Sequence, residues 1–268
     1  MSENFDLPKD FDAVLGGNAP PPVDGLVLGG LEGVKHRFKS DVIAFRIAAL
    51  EEALNYGEEG LELMMQALSD EAEEVRNAVW VVFGKSAQIA LLKNDIPLWN
   101  KWRERSIRLH IFDVDLREAD LRDTNLRGAD LRRAKLIEAN LSGADLQGAN
   151  LHSANLQGAK LRGSDLRKAK LIEAIFWEAD LTLAKLSEAT CWRADFRKAK
   201  LISSDFSKAD LNEAKLSEAN FSFANLSEAD LQRANLSRTC FWKANLWKAE
   251  FSGAGFQGTT MPDGKILD

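Results

Sequence analysis

Cysteine is scarce: the 268 residues hold only Cys191 and Cys240. Two cysteines make no disulfide framework and point to a reducing compartment. No run is long and apolar enough to span a bilayer. None of the six prolines falls between residues 111 and 258, so every backbone N–H there is free to join a hydrogen-bond ladder. The three histidines, His36, His110 and His152, stand without Cys or carboxylate companions at metal-ligand spacing. No glycine-rich phosphate loop follows a strand pattern. The opening MSENFDLPKDFDAVLGG carries neither a basic nor an apolar signal region, and a cytoplasmic location is expected. No cofactor or metal is expected either.

Charge is uneven. Residues 1–110 carry 12 Lys+Arg against 18 Asp+Glu, whereas residues 111–258 carry 22 against 21. The neutral balance of the second part speaks against nucleic acid as a partner, which requires a basic face.

What dominates the chain is a period of five. From Ile111 to Phe256 an apolar residue recurs at every fifth position, thirty times without a slip, as Leu, Ile or Phe with the single variant Cys191. Two residues before each centre sits a small residue such as Ala129 or Ala134, replaced in places by Val114, Thr124, Ser164, Ser204, Thr239 or Thr259. Five is neither the helical nor the strand period. It describes a short extended side followed by a corner. Positions two apart on an extended side point the same way, so the centre and the small residue face inward and the other three face out. The spacing alone permits three, four or five sides.

The recurring Ala129-Asp130-Leu131 and Ala149-Asn150-Leu151 pattern resembles the pentapeptide-repeat family. The resemblance implies a mainly β solenoid: a right-handed quadrilateral β-helix of four repeats per coil and about seven coils. Pro97-Leu98-Trp99-Asn100-Lys101-Trp102-Arg103 resembles the amphipathic segment that covers the first coil in members of the family, with Pro97, Trp99 and Trp102 as its cap residues. Met261-Pro262-Asp263-Gly264 is similar to the ending of cyanobacterial members.

Ahead of the repeats, Ile43, Ile47, Leu50 and Leu54 lie at helical spacing, as do Leu61, Met64, Met65 and Leu68, then Val75, Val79, Val82 and Phe83. Ser40 or Asp41 is placed to cap the first helix; Ser69 or Asp70, with Glu73, predicts a capping box on the last. Asp41 with Arg46 and Asp70 with Arg76 open similar helices, and the region is similar to HEAT-like α-repeats. The expected organisation is an extended or disordered tail over 1–34, a small HEAT-like α-helical domain over 35–96, a capping helix and linker over 97–110, the β-helix over 111–258 and a C-terminal cap over 259–268.

Nothing in this pattern assembles a catalytic constellation, and the chain reads as a non-enzymatic protein–protein interaction scaffold or assembly factor. If coils hold four sides, Leu183, Ile202, Phe223 and Trp242 fall on successive rungs of one face. They form a candidate strip for a partner protein or for a second copy of the chain in a homodimer. Arg117, Arg122, Arg127 and Arg132 circle the first coil as a candidate basic collar. It is placed to pair with Glu118, Asp123 and Asp130, or to dock the acidic helical domain or an acidic partner. The alternative function is DNA mimicry directed at DNA gyrase, known among relatives of this kind, which requires a negative stripe matching phosphate charge.

Overall fold

The computed structural model describes residues 29–109 and 114–268. Residues 1–28, which make up most of the expected tail, and residues 110–113 lie outside the described part.

Among the described residues six α-helices precede the repeats: α1 (Gly30–Phe38), α2 (Ile43–Ala53), α3 (Gly57–Ala67), α4 (Glu73–Val82), α5 (Lys85–Asn94) and α6 (Ile96–Leu109). Val34, Ala49, Leu50, Met64, Val75 and Val79 are buried between them. Helix α1 corrects the expectation of an extended tail reaching residue 34. Gly29, Gly30 and Gly33 weigh against a helix by propensity, but Gly33 is buried and Val34 joins the core, so tertiary packing decides. Helix α5 has no counterpart in the sequence reading, because Ala87, Ile89, Ala90, Leu91 and Leu92 crowd together instead of recurring at helical spacing. The capping box on α4 is also absent. Ala72 occupies the cap position, and Asp70 Oδ1 accepts from the Ala72 N–H at 2.9 Å. Helix α6 is started by Asp95, whose Oδ1 accepts the Leu98 N–H at 2.8 Å.

Behind α6 the chain coils. The residue before each centre forms a parallel bridge to the residue twenty positions on, from Asp115 with Lys135 to Cys240 with Thr260. A coil is therefore twenty residues and four sides. Each corner is a β-turn in which the small residue's N–H returns to the carbonyl of the centre, as from Ala129 to Leu126 at 3.1 Å. Between coils the N–H of each centre donates to the rung ahead, as from Leu131 to Asn150 at 2.7 Å. The third residue of every turn has positive φ, between 53° and 75° over residues 118–258, the mark of a type II turn. Asp or Asn before the centre completes the corner by accepting the N–H two residues on, as Asp145 does from Gln147 at 3.0 Å.

The bore is dry. Every centre from Leu116 to Phe241 is fully buried, each side chain contributing about 1.5–3 kcal/mol of transfer free energy. The chain leaves the coil through a hairpin of β1 (Thr259–Thr260) and β2 (Ile266–Leu267).

Candidate interaction surface

The twenty-residue coil stacks Leu183, Ile202, Phe223 and Trp242 on four consecutive rungs of one corner. The backbone ladder of this corner joins the rungs: Leu183 N–H donates to Ile202 O at 3.0 Å, the neighbouring Ser203 N–H to Ser222 O at 2.9 Å, and Phe223 N–H to Trp242 O at 2.9 Å. Leu183 is 48% exposed, Phe223 50% and Trp242 40%, with Ile202 half-buried between them. The Phe223 and Trp242 rings meet edge to face at 5.0 Å, and Lys243 Nζ lies 4.3 Å from the Trp242 ring centre.

This corner differs from the other three, and the difference is one of charge. Taking the third turn residue on successive coils, one corner reads Lys168, Glu188, Lys208, Glu228, Lys248. The next reads Glu173, Arg193, Glu213, Arg233, and the next Glu178, Lys198, Glu218, Arg238. Signs alternate rung by rung, and neighbours meet: Arg193 with Glu213 at 2.7 Å, Lys168 with Glu188 at 3.6 Å, Glu178 with Lys198 at 3.8 Å. Opposite charges directly across a ladder stabilise it, and like charges do the reverse. The fourth corner reads Gly163, Leu183, Ser203, Phe223, Lys243. The ladders are visible in the sequence once every twentieth residue is aligned.

Leu183 and Phe223 also hold φ of 62° each. A bulky side chain in the left-handed region costs roughly 1–2 kcal/mol relative to glycine. The same turn position is glycine at residues 143 and 163 of this corner, so the fold does not need a large side chain there.

The basic collar is arranged differently from expectation. Arg117 pairs with Asp115 at 2.5 Å, Arg122 with Asp120 at 2.7 Å and Arg132 with Asp130 at 2.5 Å, each within its own repeat. Arg127, whose own repeat supplies Asn125 instead of an acid, reaches Asp145 on the next coil at 3.2 Å. Of the expected partners only Asp130 forms a direct ion pair, while Glu118 and Asp123 act on Arg117 and Arg122 through longer-range attraction. Glu118 and Asp123 occupy the positive-φ turn position, whereas the acid before the centre lies beside the arginine two residues on. Arg117 holds the Asp115 carboxyl down to about 2, and Arg122 and Arg167 hold Asp120 and Asp165 below the usual carboxylate range.

At the front end the cap residues meet the first coil. Trp99 and Trp102 are fully buried, with ring centres 5.0 Å apart, while Pro97 is exposed in the first turn of α6. Trp99 Nε1 donates to Asp130 O at 2.9 Å, and Asn100 both donates to Gly128 O at 2.9 Å and accepts from Asp130 N–H at 2.7 Å. Cys191 is buried in the bore, which pushes its thiol pKa up; Cys240 lies at the surface side, and both are free. Among the described residues no group of three His, Cys, Asp or Glu is placed to hold a metal, and no helix is long and apolar enough to cross a membrane.

A family model described as pentapeptide repeats matches the chain in overlapping segments from residue 115 to residue 263, more than half of its length. Among solved structures the chain is similar to HetL, a pentapeptide repeat protein involved in heterocyst differentiation regulation from the cyanobacterium Nostoc sp. strain PCC 7120. Identity is 31% over 57% of this chain and 83% of that one, with a TM-score of 0.28. It is also similar to a pentapeptide repeat protein of the Arabidopsis thaliana thylakoid lumen, at 29% identity over 41% of this chain and 67% of that one, with a TM-score of 0.27. Trypsin-treated QnrB1, a plasmid-mediated fluoroquinolone resistance protein, matches at 21% identity over 54% of this chain and 79% of that one, with a TM-score of 0.44. No curated protein matches the chain.

Proposed function

The chain belongs to the pentapeptide-repeat family, and from that premise we propose that it is a non-enzymatic scaffold that captures a partner protein on the corner formed by Leu183, Ile202, Phe223 and Trp242. The observation that carries this reading is the placement of Leu183 and Phe223, two large apolar side chains at positive φ on the one corner without alternating charge. Their strain and exposure work against stability, so a binding role accounts for them.

The six helices form a second module in this reading, HEAT-like and docked on the front of the solenoid. Arg46 Nη1 donates to Ser40 O at 2.8 Å and Arg76 Nη1 to Asp70 O at 2.7 Å, the same reach of six residues in two successive units. Asp70 joins the units by accepting from Arg46 Nη2 at 3.0 Å. The alternative, a duplex mimic for DNA gyrase, calls for a continuous negative stripe, and the charged corners alternate in sign instead.

The test is the double variant Leu183→Asn/Phe223→Asn. Asparagine is tolerated at positive φ, so the variant is expected to melt at the same temperature as the wild type or higher. Used as bait in the source organism's extract, it is expected to lose the proteins that the wild-type chain retains. Retention of the same partners by both baits would remove the corner from consideration.

A further inference from the structure

The helical module begins on half a unit. Arg46 and Arg76 set the register of its two units, and the same register pairs Val42 with Ala72 as the residues that cap α2 and α4. Helices α1 and α3 repeat as well. Gly30-Leu31-Glu32-Gly33-Val34 opens α1 and Gly57-Glu58-Glu59-Gly60-Leu61 opens α3, each with its first glycine at positive φ and its second glycine buried. In α3 the second glycine admits the end of the preceding helix: a Cβ at Gly60 would fall 1.7 Å from the carbonyl oxygen of Ala53, the last residue of α2. Helix α3 is thus the second helix of a pair led by α2. Helix α1 is the second helix of a pair whose first member is not among the described residues.

The open place shows on α2. Helix α4 packs against α2, and Val75 on α4 is fully buried. Its counterpart in the first unit, Phe45, is 38% exposed. Val42 at 50% and Ile43 at 36% stand exposed beside it at the start of α2. In the second unit the counterparts of Ile43 and Ala44 are Glu73 and Glu74. An end unit of a stacked array carries a polar outer face, and this one carries an apolar patch instead. Lys39, exposed in the turn between α1 and α2, has no ion pair among the described residues.

The chain ahead of α1 carries a matching sequence. Gly16, Gly17 and Pro20-Pro21-Pro22 speak against a helix directly before α1. Upstream of them Leu7, Phe11, Val14 and Leu15 lie at i, i+4, i+7 and i+8, the spacing of one helical face. Pro8 suits the first turn of such a helix and Gly16 its end. The other face holds Lys9, Asp10 and Asp12, and with Asp6 the segment is net acidic, opposite in sign to Lys39. Residues 16–29 reach up to about 45 Å when extended, against about 14 Å for the length of α1. The segment can therefore return to the start of α2.

We propose that residues 7–15 supply the missing first helix, docking within the same chain on Val42, Ile43 and Phe45. The proposal rests on the repeat reading of the helical module and not on the apolar corner of the solenoid. Nine residues are too short to hold a helix alone, so the segment folds only against the patch, with Leu7, Phe11, Val14 and Leu15 turned to it. Lys9, Asp10 and Asp12 then face outward and give the module the polar end that a stacked array needs.

Amide hydrogen exchange on the full chain, read at residues 11–15, tests this. In the wild type these amides are expected to exchange about tenfold or more slowly than in a synthetic peptide of residues 1–17. Phe45→Asp changes the patch and Phe11→Asp changes the segment, and each is expected to return the amides to the peptide's rate. Phe11→Asp leaves the core of the module intact, so protection within α2 to α5 is expected to stay as in the wild type. The corner variant Leu183→Asn/Phe223→Asn is expected to keep the slow exchange. Peptide-like exchange in the wild type overturns the proposal, as does slow exchange that survives either Asp variant or is lost in the corner variant. Protection that falls on dilution places the segment on a second copy and overturns docking within one chain.

Discussion

The front and back halves of the solenoid share one backbone and fill it differently. From Leu116 to Leu171 every centre is leucine, and half of the third turn positions up to residue 163 are glycine. From Phe176 onward phenylalanine enters the bore at seven centres, and no turn between residues 168 and 248 has glycine in that position. The front shows how little the fold requires: leucine inside, a small residue beside it, and a turn position that glycine fills as often as all other residues together. What the back adds is therefore surplus to folding. Its aromatic bore demands compensation inside, and its turn side chains demand a use outside.

The aromatic bore gives the largest expected effect. Phe196 stacks on Phe176 at 4.7 Å and meets Phe206 edge to face at 5.7 Å. Phe196→Ala is expected to cost about 3–5 kcal/mol in urea unfolding. The step back to the front's filling, Phe196→Leu, leaves a smaller cavity and is expected to cost clearly less than Phe196→Ala. Equal losses for the two would mean that the rings are not packed against one another.

Compensation is localised at Cys191. Its rung contains Phe196, Leu201 and Phe206, so two rings and a leucine share a cross-section that elsewhere in the front holds four leucines. Cys191→Leu introduces the residue found at most other centres, yet it is expected to destabilise by about 1–3 kcal/mol through overpacking. Adding Phe206→Leu relieves the crowding, so the double variant is expected to be more stable than Cys191→Leu alone. Strict additivity of the two changes would break the argument that the small centre answers the large ones.

Most of this architecture can be read from the period of five, because a repeat that never slips fixes which residues face inward. The number of sides cannot, since three, four and five corners all satisfy the same alternation; only the bridges twenty residues apart decide. The four residues of the apolar corner follow from the spacing once four sides are assumed. The left-handed backbone under Leu183 and Phe223 does not, because a repeat in which Glu, Lys and Ser also occupy that position carries no glycine signal for it. Helix α1 was hidden by its glycines and α5 by its unbroken apolar cluster. The collar's pairing depended on turn geometry that places Asp115, rather than Glu118, beside Arg117.

The smallest expected effect comes from the acids of the front half. In the front, Asp115, Asp120 and Asp165 each accept from the arginine two residues on, which lowers their pKa, Asp115 to about 2. A carboxyl whose folded pKa lies below its unfolded value, near 3.9, stabilises the fold fully above that unfolded value. The contribution is lost as pH falls through the folded value. Because the pairs are solvent-exposed, screening keeps each one small. The triple variant Asp115→Asn/Asp120→Asn/Asp165→Asn is therefore expected to melt slightly below the wild type at neutral pH, with a gap that is steady down to about pH 5 and closes toward about pH 2. Asparagine still accepts the turn N–H, as Asn140 does from Ser142 at 3.2 Å, so the corner itself survives the change. Melting curves of both proteins across that range read the gap directly. A difference that stays constant to the acid end would assign the arginines' contribution to packing of their stems along the coil and not to charge.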